Sequence, residues 1–282
     1  MDVPLNVNLN GKVAVITGAG GILCGCMAKA LALSGAKVAL LDINKASVEK
    51  LAEEINEAGG AALPVICNVL EPQSVKDARQ QVLGKYGPCD ILINGAGGND
   101  PRATTDSEIF NKEQLDKEKT FFDIGKVDLE FVFGLNFTGT FLPIQEFAKD
   151  MILKDHSNII NIASVNTYLP LTKIPAYAAA KEAVGNFTKW LATYFSDAGI
   201  RVNAIAPGFL ATHQTKALFY EADGTTPTKR FNKIIAGTPM KRLGEPEELL
   251  GALLFLLDDK AASFVTGAII PIDGGFTAYN GV

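Results

Sequence analysis

The sequence predicts an α/β protein: a doubly wound parallel sheet of about seven strands with helices on both faces, in one domain over residues 1–282. Three observations predict it. Short β-branched runs alternate with longer helical patterns almost to the C-terminus. Those runs are predominantly apolar, as expected of strands buried on both faces in a parallel sheet. The first run also leads straight into a glycine-rich turn, Gly18-Ala-Gly20-Gly21.

The elements follow in order. Lys12 to Thr17 reads as the first strand, and Gly21 to Ser34 as a helix stopped by Gly35, since glycine ends helices readily. Lys37 to Asp42 is a second strand, Lys45 to Ala58 a helix, and Ala61 to Cys67 a third strand. Glu71 to Tyr86 is helical, and Asp90 to Asn94 is the fourth strand. Helical periodicity returns from about Val127 to Leu153, followed by a strand at Asn158 to Ser164 and a helix bearing Tyr177. Arg201 to Ala206 is a strand, Pro246 to Leu257 a helix, and Ala268 to Pro271 the last strand.

Two segments break this rhythm, residues 98–126 and 208–242. Both are too long for ordinary connections, and both follow carboxyl ends of strands, where ligands of such sheets bind. A local helix is expected around Asn111 to Lys119 in the first.

With 282 residues, 48% of them hydrophobic, the chain can bury a large core without disulfides or metals. Its net charge of -5, with no basic cluster, argues against nucleic-acid binding. No apolar run of about 18 residues suggests a membrane span. The start lacks the basic and apolar regions of a signal peptide. The four cysteines, Cys24, Cys26, Cys67 and Cys89, do not form a disulfide framework and read as small buried side chains. With His156 and His213 as the two histidines, no metal-ligand spacing appears. A reducing cytoplasm is the expected location.

The chemistry concentrates at Ser164, Tyr177 and Lys181. A tyrosine and a lysine four residues apart share one helix face, so an ammonium can sit beside a phenol. An unperturbed phenol has a pKa of roughly 10; a nearby cation is expected to lower it. The Ser164 hydroxyl, at a strand end, is placed to hydrogen-bond the same reacting oxygen. In the glycine turn, backbone can approach a pyrophosphate closely and the helix N-terminus offers unpaired N–H groups. The competing reading is a tight strand-to-helix turn without ligand. Asp42 ends the second strand where an acid accepts hydrogen bonds from adenosine ribose hydroxyls, which favours NAD over NADP. Its alternative is a helix cap before Ile43-Asn44-Lys45.

These pieces together resemble the short-chain dehydrogenase/reductase family, over nearly the whole chain from about Leu9. The shared marks are Thr17-Gly18 with the glycine turn, Asn94-Gly95-Ala96-Gly97, Asn136, the Ser164/Tyr177/Lys181 set, Pro207-Gly208, Thr212 and Asp273-Gly274-Gly275. Departures are a glycine turn one residue short with Leu23 at the last glycine, Gly95 where many members have asparagine, and Asn68-Val69 for the usual Asp-Val.

The resemblance implies a Rossmann-like fold and an NAD-dependent oxidoreductase acting on a secondary alcohol or ketone. It implies that Tyr177 exchanges the substrate proton, Ser164 holds the substrate oxygen, and Lys181 lowers the tyrosine pKa and binds nicotinamide ribose. Asn136 would hold a water linked to Lys181, or else be a structural asparagine. Cofactor contacts are expected from Thr17, Gly18, Gly20, Gly21, Ile22, Leu23, Asp42, Asn68, Val69, Asn94 to Gly97, Pro207, Gly208, Phe209 and Thr212, besides Tyr177 and Lys181. Members of this length commonly form tetramers, so a homotetramer is expected.

Within the family, residues 97–105, 120–123, 171–177 and the ending from Phe264 to Val282 are similar to D-mannonate oxidoreductases (fructuronate reductases). That implies a sugar-acid substrate, D-mannonate or D-fructuronate. A carboxylate and several hydroxyls need a cation and polar groups; the candidates are Asn99, Arg102, Lys173, His213 and Gln214 with Ser164 and Tyr177. The alternatives are another sugar acid or polyol, such as gluconate at carbon 5, and an NAD-binding scaffold without chemistry. A scaffold would be expected to have lost the serine, tyrosine or lysine, and all three are present.

Overall fold

The computed structural model describes residues 5–212, 219–221 and 223–281. Its sheet contains β1 (Val13–Thr17), β2 (Lys37–Asp42), β3 (Ala61–Ile66), β4 (Ile91–Asn94), β5 (Ser157–Ile162), β6 (Ile200–Pro207) and β7 (Ile269–Ile272). The strand order is β3-β2-β1-β4-β5-β6-β7, and every pairing is parallel. Among the described residues the helices are α1 (Ile22–Leu33), α2 (Lys45–Glu57), α3 (Pro72–Tyr86), α4 (Lys126–Phe133), α5 (Gly139–Met151), α6 (Pro175–Tyr194), α7 (Lys229–Gly237) and α8 (Leu250–Leu257).

The apolar strands behave as their composition demands. β1, β4 and β5 are buried along their full length. Successive side chains point to opposite faces, so Ile16 enters one core with Met27, Leu31 and Leu253, while Val15 enters the other with Phe147, Met151 and Leu191. Burying each such large side chain contributes about 1.5–3 kcal/mol. Helix starts are set locally: the Asn44 side chain accepts from the Ser47 N–H at 3.2 Å ahead of α2, and Pro175 occupies the first turn of α6.

β1 lies between β2 and β4, so the chain direction across the sheet reverses there and a crevice opens at the carboxyl ends of these strands. Register aligns Thr17 with Asn94 and Asn94 with Asn161 in one row at that edge.

Two expectations change. Around Asn111 to Lys119 only a 3₁₀ turn forms, Lys112–Gln114. The Gln114 side chain accepts from the Asn111 N–H at 2.7 Å and closes the turn on itself, after which Leu115 is extended and Asp116 takes a φ of 62°. The helical stretch at 127–153 is interrupted by a π-helical segment, Gly134–Thr138, which carries Asn136. Such bulges often mark functional positions. Among the described residues, no helix is long and apolar enough to cross a membrane.

Candidate active site

β5 and the following turn deliver Ser164, and the first turns of α6 deliver Tyr177 and Lys181. Lys181 is buried and its ammonium donates to the carbonyl of Ile162, the last residue of β5, at 2.7 Å. Its Nζ stands 5.7 Å from the centre of the Tyr177 ring, as the four-residue spacing requires. The ring packs on a small cluster of Ala103, Val132 and Ala176, which brings the 98–126 segment and α4 against the tyrosine.

Asn136 is fully buried in the π-helical segment. Its amide clamps Gly98, accepting from the N–H at 3.1 Å and donating to the carbonyl at 2.7 Å. A β-carbon on Gly97 would lie 2.6 Å from Asn136 Oδ1 and 3.4 Å from Lys181 Nζ. The asparagine and lysine therefore converge on the end of β4.

Burial decides the protonation of this pair. Enclosure raises the Tyr177 pKa above the ordinary phenol value, and the nearby Ser164 hydroxyl is the smaller, opposing influence. Burial also lowers Lys181 to about 8, with a smaller raising contribution from Cys24. The Tyr177 shift is thus upward, set by burial of the phenolate, and the expected lowering by the Lys181 ammonium is not among its causes.

Beside this trio runs the crevice, a cavity of about 620 Å³ lined by Gly18, Gly21, Ile22, Leu23, Asp42, Asn68, Val69, Gly95, Ala96, Gly97, Gly208 and Thr212. Its floor leaves no room for side chains. Gly18 has a φ of +67°, and a β-carbon there would sit 2.7 Å from the Ala96 nitrogen. The buried Thr17 hydroxyl accepts from the N–H groups of Gly95 and Ala96 at 3.1 and 3.2 Å. Asn94 donates to Asn161 at 2.9 Å, tying β4 to β5. These two residues shape the crevice from beneath rather than line it.

Asp42 accepts from the N–H of Gly20 at 3.0 Å and from that of Asn44 at 2.9 Å. The cap of α2 is Asn44, so Asp42 is not needed for that purpose. The glycine loop and Asp42 thus border the same end of the crevice, with the carboxylate at the end of β2. Pro207 ends β6 beside this crevice, but the Phe209 side chain turns away and packs edge-on against Phe276, with centroids 5.1 Å apart.

The substrate candidates divide. Arg102 is spent on Asp100, donating to both carboxylate oxygens at 3.0 and 2.9 Å, and lies 3.6 Å from Asp128. Asn99 is exposed beyond the end of β4. Lys173 takes a φ of +74°, an uncommon backbone conformation for lysine, and its carbonyl accepts from the Thr105 N–H at 3.0 Å. It lines a second cavity of about 450 Å³ with Asn166, Thr105 and Phe121. His213 and Gln214 lie outside the described residues.

Sequence reasoning missed three contacts. Asn166 is buried and hydrogen-bonds the Ser164 hydroxyl through both its backbone and its side chain. Cys24 occupies the space that a side chain at residue 95 would need. The Glu108–Lys233 ion pair, at 2.7 Å, links the two long loops. Only the first had a local signal, the Ser-Val-Asn spacing.

The family model described as enoyl-(acyl carrier protein) reductase matches residues 19–277. The chain belongs to the short-chain dehydrogenase/reductase family. Its oxidoreductase class follows, and the relatives refine the comparison. A Haemophilus influenzae crystal structure with bound NAD, provisionally named a D-mannonate oxidoreductase, is 55% identical with a TM-score of 0.95, covering 98% of this chain and 99% of that one. A Bacillus subtilis protein named uncharacterized oxidoreductase UxuB is 49% identical over 280 residues, 99% of this chain and 100% of its own. A gluconate 5-dehydrogenase of Gluconobacter oxydans is 31% identical over 277 residues, 98% of this chain and 99% of the relative.

Proposed function

We propose that this chain is an NAD-dependent oxidoreductase that interconverts a sugar acid's secondary alcohol and ketone, D-mannonate and D-fructuronate. The observation that carries this is the convergence of Ser164, Tyr177 and Lys181 beside a glycine-floored crevice, in a chain 55% identical to the provisionally named, NAD-bound relative.

NAD, when bound, supplies the hydride acceptor and NADH the hydride donor. Gly18, Gly20, Gly21, Ile22 and Leu23 would hold its pyrophosphate, Asp42 its adenosine ribose, and Asn68 and Val69 its adenine. Gly95 to Gly97, Gly208 and Thr212 would line the path to Lys181 and Tyr177, with Pro207 and Phe209 acting through backbone.

Tyr177 carries the substrate proton. In reduction its hydroxyl gives that proton to the developing alkoxide; in oxidation the phenolate takes it from the alcohol. A phenol with a raised pKa keeps its proton at neutral pH, which suits ketone reduction. Ser164 holds the substrate oxygen next to the phenol. Lys181 supplies positive charge beneath the site, and Asn136 fixes the Gly98 turn that borders it.

The substrate carboxylate is assigned to Lys173, because Arg102 is already paired with two carboxylates. A second reading, oxidation of gluconate at carbon 5, draws on the gluconate 5-dehydrogenase relative. A homotetramer is supported by the exposed stack of Phe141, Phe187, Trp190 and Tyr194 along α5 and α6, with Trp190 54% and Tyr194 66% exposed. Light scattering tests this.

A panel of D-fructuronate, D-mannonate, gluconate, 5-ketogluconate and uncharged polyols, followed by NADH absorbance, tests the function. D-Fructuronate should be reduced with the highest kcat/KM. Preferential turnover of gluconate and 5-ketogluconate would favour the second reading, and preference for an uncharged polyol would overturn the sugar-acid assignment.

A further inference from the structure

We propose that Asn166 is a positioning residue that turns Ser164 into an obligatory hydrogen-bond donor toward the reacting oxygen. The proposal rests on the reading of Ser164 and Tyr177 as the proton-handling pair.

A serine hydroxyl has one proton and two acceptor lone pairs. Ser164 Oγ accepts from the Asn166 backbone N–H at 3.2 Å and from its side-chain Nδ2 at 3.1 Å. Both lone pairs are therefore occupied, and both residues are buried, at 7% and 2% exposure, so bulk water does not compete freely. The hydroxyl proton has to point elsewhere. With the serine lone pairs filled, Ser164 can only donate, and the Tyr177 phenol cannot donate to it. The phenol's own proton is then directed away from Ser164 and toward substrate.

The amide orientation is fixed by chemistry. Asn166 Oδ1 accepts from the Leu171 N–H at 3.0 Å. A backbone N–H only donates, so the oxygen must face Leu171 and the nitrogen must face Ser164. One asparagine thus joins the catalytic serine to the segment that carries Lys173 and leads into α6.

The two roles of Asn166 separate by substitution. Asn166→Asp keeps an acceptor for Leu171 but replaces the side-chain donor by a carboxylate, which captures the Ser164 proton. Asn166→Ala removes both contacts. If Asn166 merely anchored the loop, the Asp variant would behave as wild type and the Ala variant would be impaired. Under donor control of Ser164 the Asp variant is the more impaired of the two, and the Ala variant, which removes one of the two donors to Ser164, moves the pH profile less but in the same direction.

The test is NAD-linked oxidation of D-mannonate, or of whichever panel alcohol the wild type oxidises fastest, across pH. We expect Asn166→Asp to lose about 10²-fold in kcat, the scale of one oriented donor. We also expect NADH affinity to stay within about twofold of wild type, and the pH at which oxidation levels off to move upward, because the phenolate loses a hydrogen bond. Wild-type kcat and an unmoved pH profile for Asn166→Asp would overturn the proposal. So would a kcat loss explained by lowered thermal stability with the profile unmoved. Should that variant not fold, the profile of Asn166→Ala decides in the same way. Tyr177→Phe is assayed alongside. If it keeps turnover, the underlying proton-transfer reading fails; if it is inactive while the Asn166 variants leave the profile unmoved, only the role of Asn166 fails.

Discussion

The Lys181 ammonium lies 5.7 Å from the centre of the Tyr177 ring, yet it donates its hydrogen bond to the Ile162 carbonyl. Buried with a neutral acceptor, it is a cation whose desolvation is only partly offset. Its pKa falls from 10.5 to about 8. Between those values the unfolded chain holds a proton that the folded chain has released, so stability from this group rises with pH across the window. Below about 8 both states are charged and the full penalty stands; above 10.5 neither is, and it vanishes.

That gap corresponds to about 3 kcal/mol. We expect the unfolding free energy of wild type minus that of Lys181→Met to increase from pH 8 to 10.5. Urea titrations across this range measure it. A flat difference would mean that Lys181 keeps its ordinary pKa.

Gly95 and Cys24 are complementary in volume. A β-carbon at residue 95 would overlap the Cys24 sulfur and approach the Thr17 carbonyl to 3.1 Å. Gly95→Ala should therefore cost about 1–3 kcal/mol. Adding Cys24→Ala should restore much of that loss, a coupling that a double-mutant cycle reads directly. Additive effects would show that the two sites do not share one space.

Asp42 places a carboxylate at the end of β2 beside the crevice. A 2′-phosphate there meets like charge. Asp42→Asn should narrow the NAD-over-NADP preference in kcat/KM by about tenfold or more, equivalent to about 1.4 kcal/mol. An unchanged ratio would remove Asp42 from cofactor selection.

Most of the fold was legible because strand burial on both faces leaves a strong compositional mark. β1 and β4 are almost continuous apolar runs, β5 is buried throughout although it carries Ser157, Asn158 and Asn161, and the glycine turn locates the crevice. Less legible was whatever depends on tertiary neighbours. The tyrosine pKa turned on enclosure, which helix spacing does not encode. Arg102 looked like a free cation until folding set it against Asp100 and Asp128. The short turn at Lys112–Gln114 was overestimated because polar helix formers there have no apolar face to dock. Asn166 was overlooked because an asparagine in a turn is common and its value lies in two contacts with Ser164.

Lys173 adjoins the second cavity with an uncommon backbone conformation. Lys173→Gln should raise KM for D-fructuronate by about tenfold or more, the scale of one charge-assisted contact. For an uncharged ketose, KM should change little. Equal changes for both substrates would assign the carboxylate elsewhere.

The most direct measurement is the NADH-linked turnover of Tyr177→Phe on the best substrate of the panel. Loss of the phenolic oxygen removes the proton carrier and leaves the ring packing on Ala103, Val132 and Ala176 in place. We expect kcat to fall by about 10²–10⁴, with NADH binding by fluorescence near wild type. Turnover within a few-fold of wild type would show that the proton travels by another group and would contradict the assignment of Tyr177.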